Sequence, residues 1–298
     1  MPVVKISNYY RNQLLFNGHL QTIYPAIFRK KVDLPFKRER IKTPDGDFLD
    51  LDWLKGGSNS LVIISHGLEG NSQRPYMTGM AKVFFDAGYD VLNWNFRGCS
   101  ESMNTKPIFY HSGASYDLDH VVSHASTRYS DIHLVGFSLG ANITLKYLGE
   151  TFWESKKNIK KAIAISVPLD LGGSCDKIDQ LKNKLYAFNF LHSLKQKIKK
   201  KAKVFPEKFS TKQLSKINTI RAFDNEFTAP LHGFGDADDY YSKCSSLHYL
   251  PKISHPTLVL NARNDPFLSN SCFPIVKEEY SENLFFEYPK HGGHVGFS

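Results

Sequence analysis

Six short runs of apolar, largely β-branched residues recur along the 298-residue chain: 61–65 (LVIIS), 91–95 (VLNWN), 133–136 (HLVG), 162–167 (AIAISV), 257–261 (TLVLN) and 284–288 (LFFEY). Each is nearly continuous in apolar character and bounded by Gly, Asp or Pro, the pattern of a strand covered on both faces. Helical spacing fills 76–87, 115–128, 139–149 and 270–280 between them. Alternation of this kind predicts an α/β fold with a mostly parallel central sheet flanked by helices on both faces. The start differs: 38–43 and 48–53 flank Pro44-Asp45-Gly46-Asp47, a turn sequence that predicts an antiparallel hairpin.

The pattern breaks between 168 and 250, where strands vanish and Lys and Phe become frequent. Parallel strands are normally joined by short crossovers, so this stretch predicts an inserted helical cap. The expected organisation is a core from 1–167, a cap from 168–250 and the rest of the core from 251–298. An insertion there lies over the carboxyl edge of the sheet, where open α/β folds bind ligands.

Gly136-Phe137-Ser138-Leu139-Gly140 directly follows one strand and opens a helix. G-x-S-x-G in that setting builds a sharp turn whose glycines allow close approach and whose serine projects above the sheet as a nucleophile. Attack on an acyl carbonyl builds charge on its oxygen, which needs preorganised N–H donors. One donor in such sites is the amide after the nucleophile, here Leu139. The other comes from the loop after an earlier strand, marked here by Ser65-His66-Gly67-Leu68-Glu69-Gly70, with Leu68 the candidate. His66, taken alone, reads as a packed residue at a strand end.

Asn264-Asp265-Pro266 and Gly292-Gly293-His294 each follow one of the last two strands. Asp265 and His294 therefore supply an orienting carboxylate and a general base in the chain order Ser, Asp, His, which α/β-hydrolases use. Arg97 reads as a loop anchor. Asp236, Asp238 and Asp239 read as helix-capping or ion-pairing residues, and the chemistry calls for no metal and no cofactor. Tyr76 reads as a pocket wall or a core aromatic.

On these residues the chain resembles the α/β-hydrolase superfamily, and within it the YheT-like esterase family (AB hydrolase family 4). The stretches that carry the resemblance are GHLQTIYP at 18–25, HGLEG at 66–70, NFRGCS at 95–100 and GFSLG at 136–140. It continues through DNEFTAP at 224–230, HGFGDADDYY at 232–241, NDPF at 264–267 and HGGHVGF at 291–297. The resemblance implies a cap-bearing serine hydrolase with Ser138, Asp265 and His294 as its triad, acting on carboxylic or lipid esters. Members of that family continue past the His motif into a closing helix, whereas this sequence ends four residues after His294; a looser loop around His294 is the expectation. A second reading keeps the scaffold catalytically silent and gives it anionic partners or a membrane surface.

Composition narrows the classes. Hydrophobic residues are 41% and charged residues 22% of the chain, which excludes a disordered or fibrous protein. No apolar run approaches the roughly 18 residues of a membrane span, and the N-terminal stretch lacks the apolar core of a secretory signal; a cytoplasmic protein is expected. The net charge of +9 is concentrated in Lys195, Lys197, Lys199, Lys200, Lys201 and Lys203, with Lys156, Lys157, Lys160 and Lys161 as a second group. Both groups are expected to face water. Beside the apolar stretch 185–194, the first could also rest weakly on an anionic membrane. No nucleic-acid motif accompanies it, so nucleic acid is not an expected partner. The four cysteines, with no C-x-x-C among them, are expected as free thiols.

Overall fold

The computed structural model describes all residues except 1, 2, 5, 6, 151–157, 276–279 and 298. Its centre is an eight-stranded sheet in the order β1-β2-β4-β3-β5-β6-β7-β8. The strands are β1 (Lys37–Lys42), β2 (Phe48–Leu54), β3 (Ser60–Ser65), β4 (Asp90–Asn95), β5 (Asp131–Phe137), β6 (Ile159–Ile165), β7 (Thr257–Leu260) and β8 (Leu284–Glu287). β2 runs antiparallel to β1 and to β4, and every other pairing is parallel. The hairpin closes as expected, with Thr43 N–H donating to Asp47 O at 3.0 Å and Gly46 at φ +80°.

Burial on both faces explains the continuous apolar runs. Leu61 and Ile63 of β3 join the cluster built by α3 (Ser115–Ser126) and α4 (Leu139–Gly149). Val62 and Ile64 point the other way, into a cluster with Met77 and Ala81 of α2 (Pro75–Asp86). A strand alternates its side chains between faces, so helices on both sides require apolar residues at every position. The earliest helix, α1 (Gly18–Phe28), lies before the sheet in sequence and was not expected from spacing. Its start is marked by Asn17, whose side chain accepts from Leu20 N–H.

Between β6 and β7 the chain forms α5 (Leu171–Asp179), α6 (Lys184–Val204), α7 (Ile220–Phe223), α8 (Ala229–Leu231) and α9 (Ala237–Cys244), with no strand among its described residues. These helices share an apolar cluster of their own, including Leu191, Leu194, Ile198, Phe223 and Tyr241.

Two expectations need correction. Residues 270–280 do not form one helix: Asn270–Cys272 make a single 3-10 turn, Pro274 follows, and 276–279 lie outside the described residues. Proline lacks the N–H a continuing helix would need there. The lysine run is not wholly solvated either. All six lysines lie on α6, but Lys197 and Lys201 fall four residues apart on its buried face beside Leu194 and Ile198. Lys201 Nζ donates to the carbonyl oxygens of Asn104, Lys106 and Ile108, and burial pushes its ammonium down to about 8. Of the second group, Lys160 and Lys161 are exposed on β6, while Lys156 and Lys157 lie outside the described residues.

Candidate active site

Ser138 sits between β5 and α4 at φ +53°, ψ −118°. A non-glycine residue there is strained by about 1–3 kcal/mol, and the flanking glycines show why the chain holds it. A Cβ on Gly136 would stand 2.5 Å from Ala141 Cα, and one on Gly140 would stand 2.4 Å from His66 O. Both positions have room for hydrogen only. Ser138 N–H donates to Ile165 O at 2.9 Å, which ties the turn to β6.

The structure brings all three residues of the Ser, Asp, His set together. His294 Nε2 lies 2.9 Å from Ser138 Oγ, and His294 Nδ1 lies 2.8 Å from Asp265 Oδ2. In the neutral imidazole this fixes Nδ1–H as the donor to the carboxylate and leaves Nε2 to accept the serine proton. Asp265 Oδ1 accepts from Phe267 N–H at 2.8 Å, and the Phe267 ring rests 4.3 Å from the imidazole.

The loop carrying His294 is firmly tied, contrary to the looser loop expected. His294 N–H donates to Thr22 Oγ1 at 2.9 Å and Gly293 N–H to Asn264 Oδ1 at 3.1 Å. Gln21 Oε1 accepts from both Gly292 N–H, at 2.7 Å, and Asn264 Nδ2, at 2.9 Å. Val295 N–H donates to Ser166 Oγ at 2.9 Å. Helix α1 therefore clasps the aspartate and histidine loops from one side. Gly18 is required for this approach, since a Cβ there would stand 1.9 Å from Asn264 O. Sequence reasoning assigned Gln21 and Thr22 no role; their only signal was the GHLQTIYP stretch.

The loop after β3 comes over Ser138, with a Cβ on Gly67 reaching 3.2 Å from Ser138 Cβ. The N–H groups of Leu68 and Leu139 make no hydrogen bond among the described residues, which leaves two backbone donors beside the serine. His66 is a packed residue. Its Nδ1–H donates to Gly67 O at 2.8 Å, its Nε2 accepts from Phe96 N–H at 3.2 Å, and burial holds its pKa down at about 3. Tyr76 Oη accepts from Gly67 N–H at 2.9 Å, so this ring both braces the loop and lines the site.

Two cavities meet at Ser138. One of about 450 Å³ opens between α1 and α6, lined by Ile23, Ile27, Tyr186, Phe190, Phe267 and His294. The other, about 100 Å³, runs beneath the helices between β6 and β7, past Leu68, Leu139, Phe109, Leu171 and Tyr240. Both walls are mainly apolar. The other polar residues singled out in the sequence lie elsewhere. Arg97 anchors loops through Asp117, Asp45 and Asp47. Asp236 caps α9, Asp238 pairs with Arg221 and Asp239 pairs with Lys243.

Known proteins share this architecture. The α/β hydrolase fold family matches residues 60–298. The Escherichia coli K12 protein named "Putative esterase YheT" is 32% identical over 94% of this chain and 84% of its own length. Mouse "Phospholipase ABHD3" is 28% identical over 99% of this chain and 74% of its own. The solved structure of the Pyrococcus furiosus esterase Pf2001 superposes with a TM-score of 0.59 at 20% identity, covering 88% of this chain and 85% of that one. The chain belongs to the α/β-hydrolase family, in its YheT-like branch.

Proposed function

We propose that this protein is a serine hydrolase that cleaves carboxylic esters, of short to medium acyl chain or of lipids, through an acyl-enzyme on Ser138. The observation that carries the reading is the unbroken hydrogen-bond chain from Asp265 through His294 to Ser138, at 2.8 and 2.9 Å, facing an apolar cavity. Relatives named esterase, phospholipase and monoacylglycerol lipase support a hydrolase. His294 takes the Ser138 proton as the oxygen attacks the ester carbonyl, and Asp265 holds the tautomer and stabilises the imidazolium. The Leu68 and Leu139 N–H groups receive the oxyanion, where one donor is worth about 3–4 kcal/mol. His294 then protonates the leaving alcohol and activates water for deacylation.

The cap, proposed as 168–250, sets which chains fit through its small cavity, and a cytoplasmic location is part of the same reading. Neither metal nor cofactor has a step in this mechanism. Turnover of p-nitrophenyl esters of increasing chain length tests the reading. Hydrolysis that falls to background in Ser138→Ala is expected, and a well-folded protein that turns over none of the series contradicts it.

A further inference from the structure

The loop that carries Leu68 is gripped by a charge from the cap. Glu69, the next residue, stands at φ +52°, in the left-handed region that costs a non-glycine residue energy unless its surroundings hold it. Its N–H donates to Tyr110 Oη at 2.8 Å, and the Tyr110 hydroxyl donates back to Glu69 Oε1 at 2.7 Å. The same oxygen accepts from Lys197 Nζ at 2.6 Å. Lys197 also reaches Cys99 Sγ at 3.3 Å and lies 4.5 Å from the Tyr110 ring centre. The side chains of the pair are only 6% and 12% exposed. Such a pair is costly to desolvate, and its best attested use is to fix one arrangement over others. Lys197 belongs to α6, which also lines the large cavity through Tyr186 and Phe190.

We propose that Lys197 is a positioning residue whose ammonium clamps Glu69 and so aims the Leu68 N–H at the oxyanion, making the hole complete only while α6 is seated. The proposal rests on reading Ser138 as the nucleophile and Leu68 as a donor. It is a different use of the lysine run from solvation or lipid contact, since this lysine faces inward.

Lys197→Met, Glu69→Gln and the double variant of the full chain test it by two readouts. One is kcat and KM for p-nitrophenyl butyrate. The other is inhibition by an alkyl trifluoromethyl ketone, which adds to the serine and places an oxyanion in the hole. Lys197→Met is expected to lower kcat at least tenfold with KM within twofold, and to weaken the ketone by the same factor. The double variant is expected to recover part of both losses, because no carboxylate is then left unpaired. A rise in KM alone, or a fall in kcat with ketone affinity unchanged, overturns the proposal, since a merely structural role of the cap would give those. If Lys197→Met does not fold, Glu69→Gln carries the test, and wild-type kcat and ketone affinity in it overturn the proposal equally. An active wild type with indifferent variants sinks this inference alone. A wild type inert to esters and to a fluorophosphonate sinks the hydrolase reading and this inference with it.

Discussion

Alanine at position 140 tests how tightly the two halves of the oxyanion hole are pressed together. A Cβ there would stand 2.4 Å from His66 O and 2.5 Å from Ser65 O, whereas ordinary contact begins near 3.4 Å. Both obstacles are backbone at the end of β3, so α4 and the loop carrying Leu68 must part by about 1 Å. Displacement on that scale costs about 100-fold in rate, and overpacking adds about 1–3 kcal/mol of destabilisation. Helix propensity acts in the opposite direction, by about 1 kcal/mol in favour of alanine. Gly79→Ala in α2 isolates that opposing effect, because nothing lies within 4 Å of its Cβ position. Kinetics with p-nitrophenyl butyrate and urea unfolding give both quantities. Gly140→Ala is expected to lose about two orders of magnitude in kcat/KM and to unfold at lower urea. Gly79→Ala is expected to gain about 1 kcal/mol with activity unchanged. A Gly140→Ala protein as active and as stable as Gly79→Ala would refute the close approach and the geometry built on it.

Three further outcomes follow from other parts of the molecule. Arg97→Met strands Asp117, whose side chain is 3% exposed, and should cost about 3–5 kcal/mol in urea unfolding; adding Asp117→Asn should recover part of that loss, and no recovery would deny the pairing its role. Burial holds the Asp224 carboxyl up at about 6 against an ordinary 3.8, so the folded state binds more protons in that window and stability falls as pH rises through it. Asp224→Asn should remove this slope, gaining up to about 3 kcal/mol on wild type between pH 4 and 7, and parallel stability curves would contradict it. Finally, Lys184, Phe188, His192, Lys195 and Lys199 recur at helical spacing on the outer face of α6, with Phe188 65% exposed. Salt-sensitive co-sedimentation with phosphatidylglycerol vesicles is expected, at about 1 kcal/mol per lysine near the surface, and equal recovery with neutral vesicles would rule it out.

The strands, the hairpin and the residues now placed at the candidate site were legible because each rests on local chemistry. Short, β-branched apolar runs bounded by Gly, Asp or Pro read as strands buried on both faces, and a G-x-S-x-G turn needs its glycines where contact leaves no room for Cβ. The ties between distant segments were not legible. Gln21 and Thr22 hold loops more than 240 residues away, and beyond the family-like GHLQTIYP stretch no local chemistry announces it. The lysine run misled for a related reason. Periodicity places Lys197 and Lys201 on the face of Leu194 and Ile198, but charge suggests solvent, and only the fold shows Glu69 and three loop carbonyls waiting inside. Over 270–280 the helical spacing meets Pro274, which has no N–H to continue a helix from Asn270, so the turn stops at Cys272.

Reaction of the intact protein with a fluorophosphonate, read by mass spectrometry, tests the central claim most directly. Attack by Ser138 Oγ on phosphorus expels fluoride, so one phosphonyl group should appear on the peptide containing Ser138, and none on folded Ser138→Ala. A folded wild-type protein that stays unmodified, or that carries the group on another residue, would contradict the account.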